Sequence, residues 1–145
     1  MQDLFHLERF LTAQEHHYAT ALAEIRRGRK DSHWIWYVFP QLKGLGKSDY
    51  SQYYGISGLE EARAYLAHPV LRARLLEISQ ALLEQENRDP QAVMGHIDSW
   101  KLRSSMTLFA AAKPDCPVFG QVLDAFFGGQ QDPLTLKLLA RKEEI

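Results

Sequence analysis

The sequence predicts an all-α fold, a single-domain helical bundle of five or six main helices that spans residues 1–145. Apolar residues recur at steps of three and four in several segments, which is the spacing of one face of a helix. Proline stands at three positions that suit the first residue of a helix, Pro69, Pro90 and Pro133. One segment, about residues 29–56, departs from this pattern and is predicted to be irregular and aromatic-rich.

The first helix is predicted to follow Asp3, a capping residue, and to end at Gly28, which suits a helix C-terminus. Its apolar stripe comprises Leu4, Leu7, Leu11, Tyr18, Ala21, Leu22 and Ile25. Gln14 interrupts this stripe, and two interpretations are open. The amide is buried and bonds a nearby loop, as most buried polar groups bond backbone, or it faces a cavity together with Glu15 and Tyr18.

The later helices are predicted from caps and stripes. Ser57 and Glu60 form a capping box that begins one helix, and Asp98 is expected to cap another. Apolar stripes place further helices within residues 70–82, 102–109, 118–126 and 134–139.

Residues 28–46, GRKDSHWIWYVFPQLKGLG, mix aromatic, basic and glycine residues in a way typical of neither a core helix nor a solvated loop. Periodicity does not separate a short strand from a helical turn in this run, but Pro40 favours an extended Phe39. Because an aromatic ring buries a large area, Trp34 or Trp36 is expected in the core. The tyrosine-rich run at 47–57 is expected to form a loop over a pocket, without regular structure.

Composition limits the classes of function. The net charge of −1 gives no strong signal for a nucleic-acid partner or for an anionic membrane surface. A single cysteine, Cys116, allows no intrachain disulfide and fits a reducing compartment. The N-terminal sequence MQDLFHLERF does not read as a signal peptide, and no apolar run has the length of a membrane span, so we expect a cytoplasmic protein.

Two segments place cations beside hydroxyl groups. In the first, Lys30 and its neighbours precede the aromatic run, so they are suited to hold a phosphate or carboxylate while a ring stacks on tryptophan. In the second, Lys101, Arg103 and Ser104 lie in the first turns of a helix, where free N–H groups favour an anion. The alternative is that Lys101 and Arg103 pair with surface acids, while Lys30 is solvated and His33 donates to a backbone carbonyl.

Neither a metal nor a cofactor is indicated. His16 and His17 are adjacent and diverge by about 100° on a helix, so they are not expected to share a metal ion. No HExxH or paired Cys-x-x-Cys motif is present. The candidates for proton transfer are His33, Glu15 and Asp98, and whether the protein is an enzyme stays open at this point.

Three stretches, SHWIWYVFPQLKGLG, AYLAHPVLRARL and DSWKLRSSMTLF, resemble a bacterial family of small helical proteins catalogued as domain of unknown function 1810. The resemblance covers nearly the whole chain and implies an all-α single-domain fold without an established activity. It singles out His33, Trp34, Trp36, Gln41, Lys101, Arg103 and Ser104 among its polar and aromatic positions. A more distant similarity, to proteins that act on ADP-ribose derivatives, guides the choice of ligand.

Two hypotheses follow. In the first, the protein has a pocket for a small anionic, nucleotide-like ligand, with an ADP-ribose derivative as one candidate. Its binding residues would be Gln14, Lys30, His33, Trp34, Trp36, Gln41, Lys101, Arg103 and Ser104, and His33 or Glu15 would transfer any proton. In the second, the protein is a non-enzymatic interaction module whose contact patch is the Trp34–Trp36 segment. The oligomeric state is not predicted.

Overall fold

The computed structural model describes residues 3–143 and confirms the all-α prediction. Within that range the chain forms nine helices: α1 (Glu8–Arg27), α2 (Ile35–Val38), α3 (Asp49–Tyr53), α4 (Leu59–Ala67), α5 (Pro69–Leu83), α6 (Pro90–Met94), α7 (His96–Ala112), α8 (Val118–Phe127) and α9 (Pro133–Glu143). Six of them, α1, α4, α5, α7, α8 and α9, have nine residues or more, and the other three are short. Strands are absent from the described part of the chain, where a single parallel bridge joins Leu42 to Ile56.

Helix α7 lies at the centre of the bundle. It packs against α2, α4, α6, α8 and α9, while α1 packs on α5 and α2, and α5 also contacts α8. From Ser104 to Phe109 every residue of α7 is buried, so this helix has no solvent-facing side over that stretch. Among its polar residues, Ser104 and Thr107 bond Asp132 at the start of α9, whereas the buried hydroxyl of Ser105 has no partner in the described chain.

The start of α1 differs in part from the prediction. Asp3 is not the N-cap residue, which is Leu7, but its carboxylate oxygens accept hydrogen bonds from the backbone N–H groups of Leu7 (2.7 Å) and Glu8 (2.8 Å) at the helix start. Leu4 is wrongly placed in the apolar stripe, since it is 80% exposed and precedes the helix. At the other end Gly28 has the predicted left-handed conformation, with φ of 86°.

Two predicted caps are wrong in detail. Helix α7 begins at His96, after Gly95 at φ of 87°, so Asp98 is the third residue of the helix and not its cap. The carboxylate of Asp98 is therefore free to form ion pairs. Helix α4 begins at Leu59, and the partner of Ser57 is Glu61, which accepts from both the N–H and the hydroxyl group of Ser57 at 2.9 Å.

The irregular segment contains more helix than expected. Its aromatic run forms one turn, α2, and then leaves the helical conformation at Phe39, with φ of −123° and ψ of 75°, in agreement with the effect of Pro40. The expectation that residues 47–57 have no regular structure is wrong, because α3 forms there with Ser48 as its cap. Trp34 is the buried indole of the run, at 1% exposure.

Candidate functional site

A buried carboxylate holds the loop between α1 and α2. Glu24 accepts hydrogen bonds from the backbone N–H groups of Asp31 (2.7 Å) and Ser32 (2.9 Å), the hydroxyl of Ser32 (2.6 Å) and the indole N–H of Trp34 (2.9 Å). Burial disfavours the charge, but these hydrogen bonds outweigh it and lower the pKa of Glu24 to about 2. One side chain thus fixes the path of the loop that delivers Lys30 and Trp34.

Lys30 and Lys101 share one carboxylate. The Nζ of Lys30 lies 2.7 Å from Oδ2 of Asp98, and the Nζ of Lys101 lies 3.1 Å from Oδ1. Burial opposes ionisation of Asp98, but the two lysines together lower its pKa. Two positive charges against one negative charge leave the group with an excess of one cation. Lys30 is nearly buried, with a side-chain exposure of 4%, whereas Lys101 is 20% exposed and reaches solvent.

Each of these lysines also lies over an indole ring. The Nζ of Lys30 is 4.9 Å from the ring centroid of Trp34, and the Nζ of Lys101 is 3.9 Å from that of Trp36. A cation within about 6 Å of an indole face is attracted by the ring. Lys30 of the first predicted segment of cations and hydroxyls and Lys101 of the second therefore meet around Asp98.

A pocket opens beside Trp36. Its cavity volume is about 70 Å³, well below the roughly 300 Å³ at which ligand pockets begin, so it encloses only a small part of a ligand. Its wall is mostly aromatic and apolar, with a few polar groups: Trp36, Gln41, Leu42, Leu45, Gly46, Tyr50, Ser51, Tyr54 and Gly55. Lys101 does not line the pocket but lies against the Trp36 ring that does.

Backbone packing shapes this wall. A Cβ atom at Gly55 would lie 2.7 Å from both the Cβ of Lys43 and the carbonyl oxygen of Ser51, so no larger residue fits between α3 and residue 43. The neighbouring bridge adds two hydrogen bonds, from the N–H of Ile56 to the carbonyl of Gln41 and from the N–H of Lys43 to the carbonyl of Ile56, each 2.8 Å long. The backbone that carries Gln41 is therefore held on one side of the pocket.

Arg103 and Ser104 belong to a different contact. Ser104 donates to Oδ2 of Asp132 at 3.0 Å, and Nη2 of Arg103 lies 3.8 Å from Oδ1 of the same aspartate. Residues two apart on a helix do not face each other, and Arg103 accordingly lies by Trp100 and Asp132 rather than by Trp36 with Lys101. The structure does not bring Arg103 and Ser104 to the pocket.

Gln14 and Trp34 are inside the protein. The amide nitrogen of Gln14 donates to the backbone carbonyl of Tyr37 (2.7 Å) and to the hydroxyl of Tyr65 (2.9 Å), and its oxygen accepts from Arg74 (3.3 Å). These contacts match the first interpretation of the residue, an amide that bonds a neighbouring segment. Trp34 donates its indole N–H to Glu24. Neither Gln14 nor Trp34 lines the pocket.

Of the three residues considered for proton transfer, Asp98 is paired with Lys30 and Lys101, and the other two are exposed on the surface. Glu15 lies on the outer face of α1, and His33 lies in the loop before α2. Neither of them lines the pocket beside Trp36. Among residues 3–143, no three His, Cys, Asp or Glu side chains are grouped so that they could hold a metal ion.

Sequence reasoning did not name Tyr50, Ser51, Tyr54 or Glu24 as residues of the site. Tyr50, Ser51 and Tyr54 lie in the run that is expected to cover a pocket. Their spacing of i, i+1 and i+4 after the cap Ser48 puts them on one side of a helical turn, and this is the signal that points to them as pocket residues. Glu24 carried no such signal, because its partners are backbone groups and an indole that only the fold brings near.

Fold and pocket together define a class, that of small all-α proteins built around one central helix, with an aromatic pocket between a short helix and an extended segment. The family model described as Protein of unknown function (DUF1810) matches residues 4–139, and the chain belongs to that family. The chain is also similar to a solved structure, the conserved hypothetical protein Rv1873 from Mycobacterium tuberculosis, with 46% sequence identity and a TM-score of 0.93. That match covers 95% of this chain and 99% of the other. No curated protein matches the chain.

The part of the chain that the structure describes contains no helix with both the length and the apolar character required to cross a bilayer.

Proposed function

We propose that the pocket beside Trp36 binds a small anionic ligand that carries a planar ring, such as a nucleotide. The observation that supports this most is the contact between Lys101 and Trp36, because it puts a partly exposed cation against the ring that forms the pocket wall. The ring of the ligand would stack among Trp36, Tyr50 and Tyr54, and its anionic group would lie within reach of Lys101.

The size of the pocket limits what it encloses. A cavity of about 70 Å³ encloses part of one ring and not a whole dinucleotide. An ADP-ribose derivative would therefore bind through one end, with its diphosphate outside the pocket and near the excess positive charge of Lys30, Asp98 and Lys101. The proposal is for binding and assigns no reaction, since His33 and Glu15 lie apart from the pocket wall.

The cellular setting is part of the proposal. A single cysteine and a near-neutral charge fit a bacterial cytoplasmic protein whose partner is a small molecule rather than a nucleic acid.

Isothermal titration with three probes tests the function. AMP carries both the ring and the anion, adenosine lacks the phosphate, and ribose 5-phosphate lacks the ring. We expect AMP to bind more tightly than either fragment, because only AMP uses both the stack and the cation. Trp36→Leu should abolish the difference, while Trp100→Leu, which replaces a 61% exposed indole outside the pocket, should not. No heat from any probe at millimolar concentration would refute the proposal.

A second candidate function, a protein-interaction module, is favoured by the exposure of Tyr50 (61%) and Tyr53 (52%) beside the pocket. Trp34, at 1% exposure, is buried and cannot be part of such a patch, so Trp36 alone of the two indoles would contribute. Size-exclusion chromatography at two concentrations tests self-association. A concentration-dependent shift that Tyr53→Ser removes would favour this candidate over the pocket.

A further inference from the structure

The pocket wall contains a carboxamide that no protein group uses. Within residues 3–143 the side chain of Gln41 has no hydrogen-bond partner, although the residue is half buried and lines the pocket. By contrast, the hydroxyl of Ser51 on the same wall donates to the carbonyl of Ser48 at 2.9 Å, and the amide of Gln14, inside the protein, bonds Tyr37 and Tyr65. A half-buried amide without a partner, beside a cluster of tilted aromatic rings, is suited to a ligand.

The backbone of Gln41 is fixed while its side chain remains available. Its carbonyl accepts from the N–H of Ile56, and Leu42, the next residue, is buried at 2% exposure. Leu42 and Gln41 both line the pocket, but Gln41 is only half buried, so its amide lies nearer to solvent than the side chain of Leu42. The short bridge between Leu42 and Ile56 thus presents the amide on a stable support.

A carboxamide offers one donor group and one acceptor side by side. It pairs with a ring edge that carries the complementary acceptor and donor, as glutamine pairs with adenine. We infer that Gln41 recognises the edge of the ligand ring, and that the pocket selects rings in which an amino group lies next to a ring nitrogen. This inference rests on the proposed function, and it adds the ring class that the pocket accepts.

Titration of AMP against purine riboside 5′-monophosphate tests the inference, because the second compound lacks only the 6-amino group. One hydrogen bond of ordinary strength corresponds to a preference for AMP of roughly 3- to 10-fold. Gln41→Leu should reduce this ratio to about 1 without unfolding the protein, since the side chain has no partner in the described chain. Gln41→Glu keeps the oxygen acceptor for the amino group, so it should retain the preference while binding both nucleotides more weakly.

Gln121→Leu is the matched control, since Gln121 is exposed on α8 and does not line the pocket. Equal binding of both nucleotides to the wild-type protein would overturn the inference and leave the proposed function standing. A preference that survives in Gln41→Leu would also overturn it. If neither nucleotide binds at millimolar concentration, the proposed function fails and the inference fails with it.

Discussion

The ammonium nitrogen of Lys101 lies 3.9 Å from the centroid of the Trp36 ring, and this contact joins the central helix to the pocket wall. Asp98, three residues earlier on the same helix, forms an ion pair with Lys101, with 3.1 Å between Oδ1 and Nζ. The charge is thereby fixed in position yet remains partly exposed, at 20% of the side chain. This arrangement suits a cation that meets an anionic ligand.

Lys101→Met should weaken nucleotide binding by about tenfold, because a hydrogen bond to a charged group contributes roughly 1.5 kcal/mol or more. The fold should tolerate the change, since Asp98 keeps Lys30 as a partner. Titration of AMP measures the effect. Lys137→Met, which alters an exposed lysine of α9, is the control and should bind like the wild type. If Lys101→Met binds AMP with the affinity of the wild type, Lys101 does not contribute to the binding site.

Asp98→Asn should destabilise the protein by roughly 3 kcal/mol or more, because removal of one partner leaves the buried Lys30 ammonium uncompensated. The same change should raise the affinity for an anion, since both lysines lose their competing carboxylate. Urea unfolding and AMP titration measure the two effects. Asp115→Asn is the control, as that carboxylate is 78% exposed in its pair with Lys113. If Asp98→Asn is as stable as the wild type, the ion pairs of Asp98 with Lys30 and Lys101 are not needed for the fold.

Glu24 should make stability depend on pH in the acid range. Its folded-state pKa of about 2 is below the ordinary 4.5, so the stabilisation is complete above pH 4.5 and is lost as the pH falls toward 2. The difference corresponds to about 3 kcal/mol. Glu24→Gln should lower the free energy of unfolding at pH 7, and its deficit should shrink between pH 4.5 and 2. Urea unfolding at several pH values checks this, with the exposed Glu60→Gln as control. A deficit that does not vary with pH would contradict the role of the charge.

Gly55→Ala should disturb the pocket, because the new methyl group would lie 2.7 Å from the Ser51 carbonyl, a backbone atom that cannot turn aside. We expect α3 to shift, the protein to lose stability and AMP binding to weaken. Gly120→Ala is the contrasting change, since nothing lies within 4 Å of the added Cβ in α8. Its expected effect is a gain of up to about 1 kcal/mol, from helix propensity. Thermal unfolding of both variants distinguishes the steric effect at Gly55 from the helix-propensity effect at Gly120. Equal changes in stability for the two variants would refute the steric role of Gly55.

Local patterns in the sequence predicted the six longer helices. The signals were the spacing of apolar residues, the capping box at Ser57 and the prolines at 69 and 133, which all act within a few residues of one another. The same locality explains the errors. Asp98 has the chemistry of a cap, but Gly95 ends the preceding turn and so moves the helix start to His96. Helix α3 was missed because five polar and tyrosine residues carry no apolar period.

For the candidate site, unlike the helices, tertiary packing decided more than local sequence patterns did. The sequence by itself determined which residue types were available, namely the cations, indoles and amides of two segments, and it determined the all-α fold that carries them. Only the tertiary structure decided that Lys101 meets Trp36 while Arg103 turns to Asp132, and that Gln14 is used inside while Gln41 remains available. The physical reason is that these pairings join residues distant in the chain, so they depend on how α7 packs against α2 and α9 and leave no local pattern.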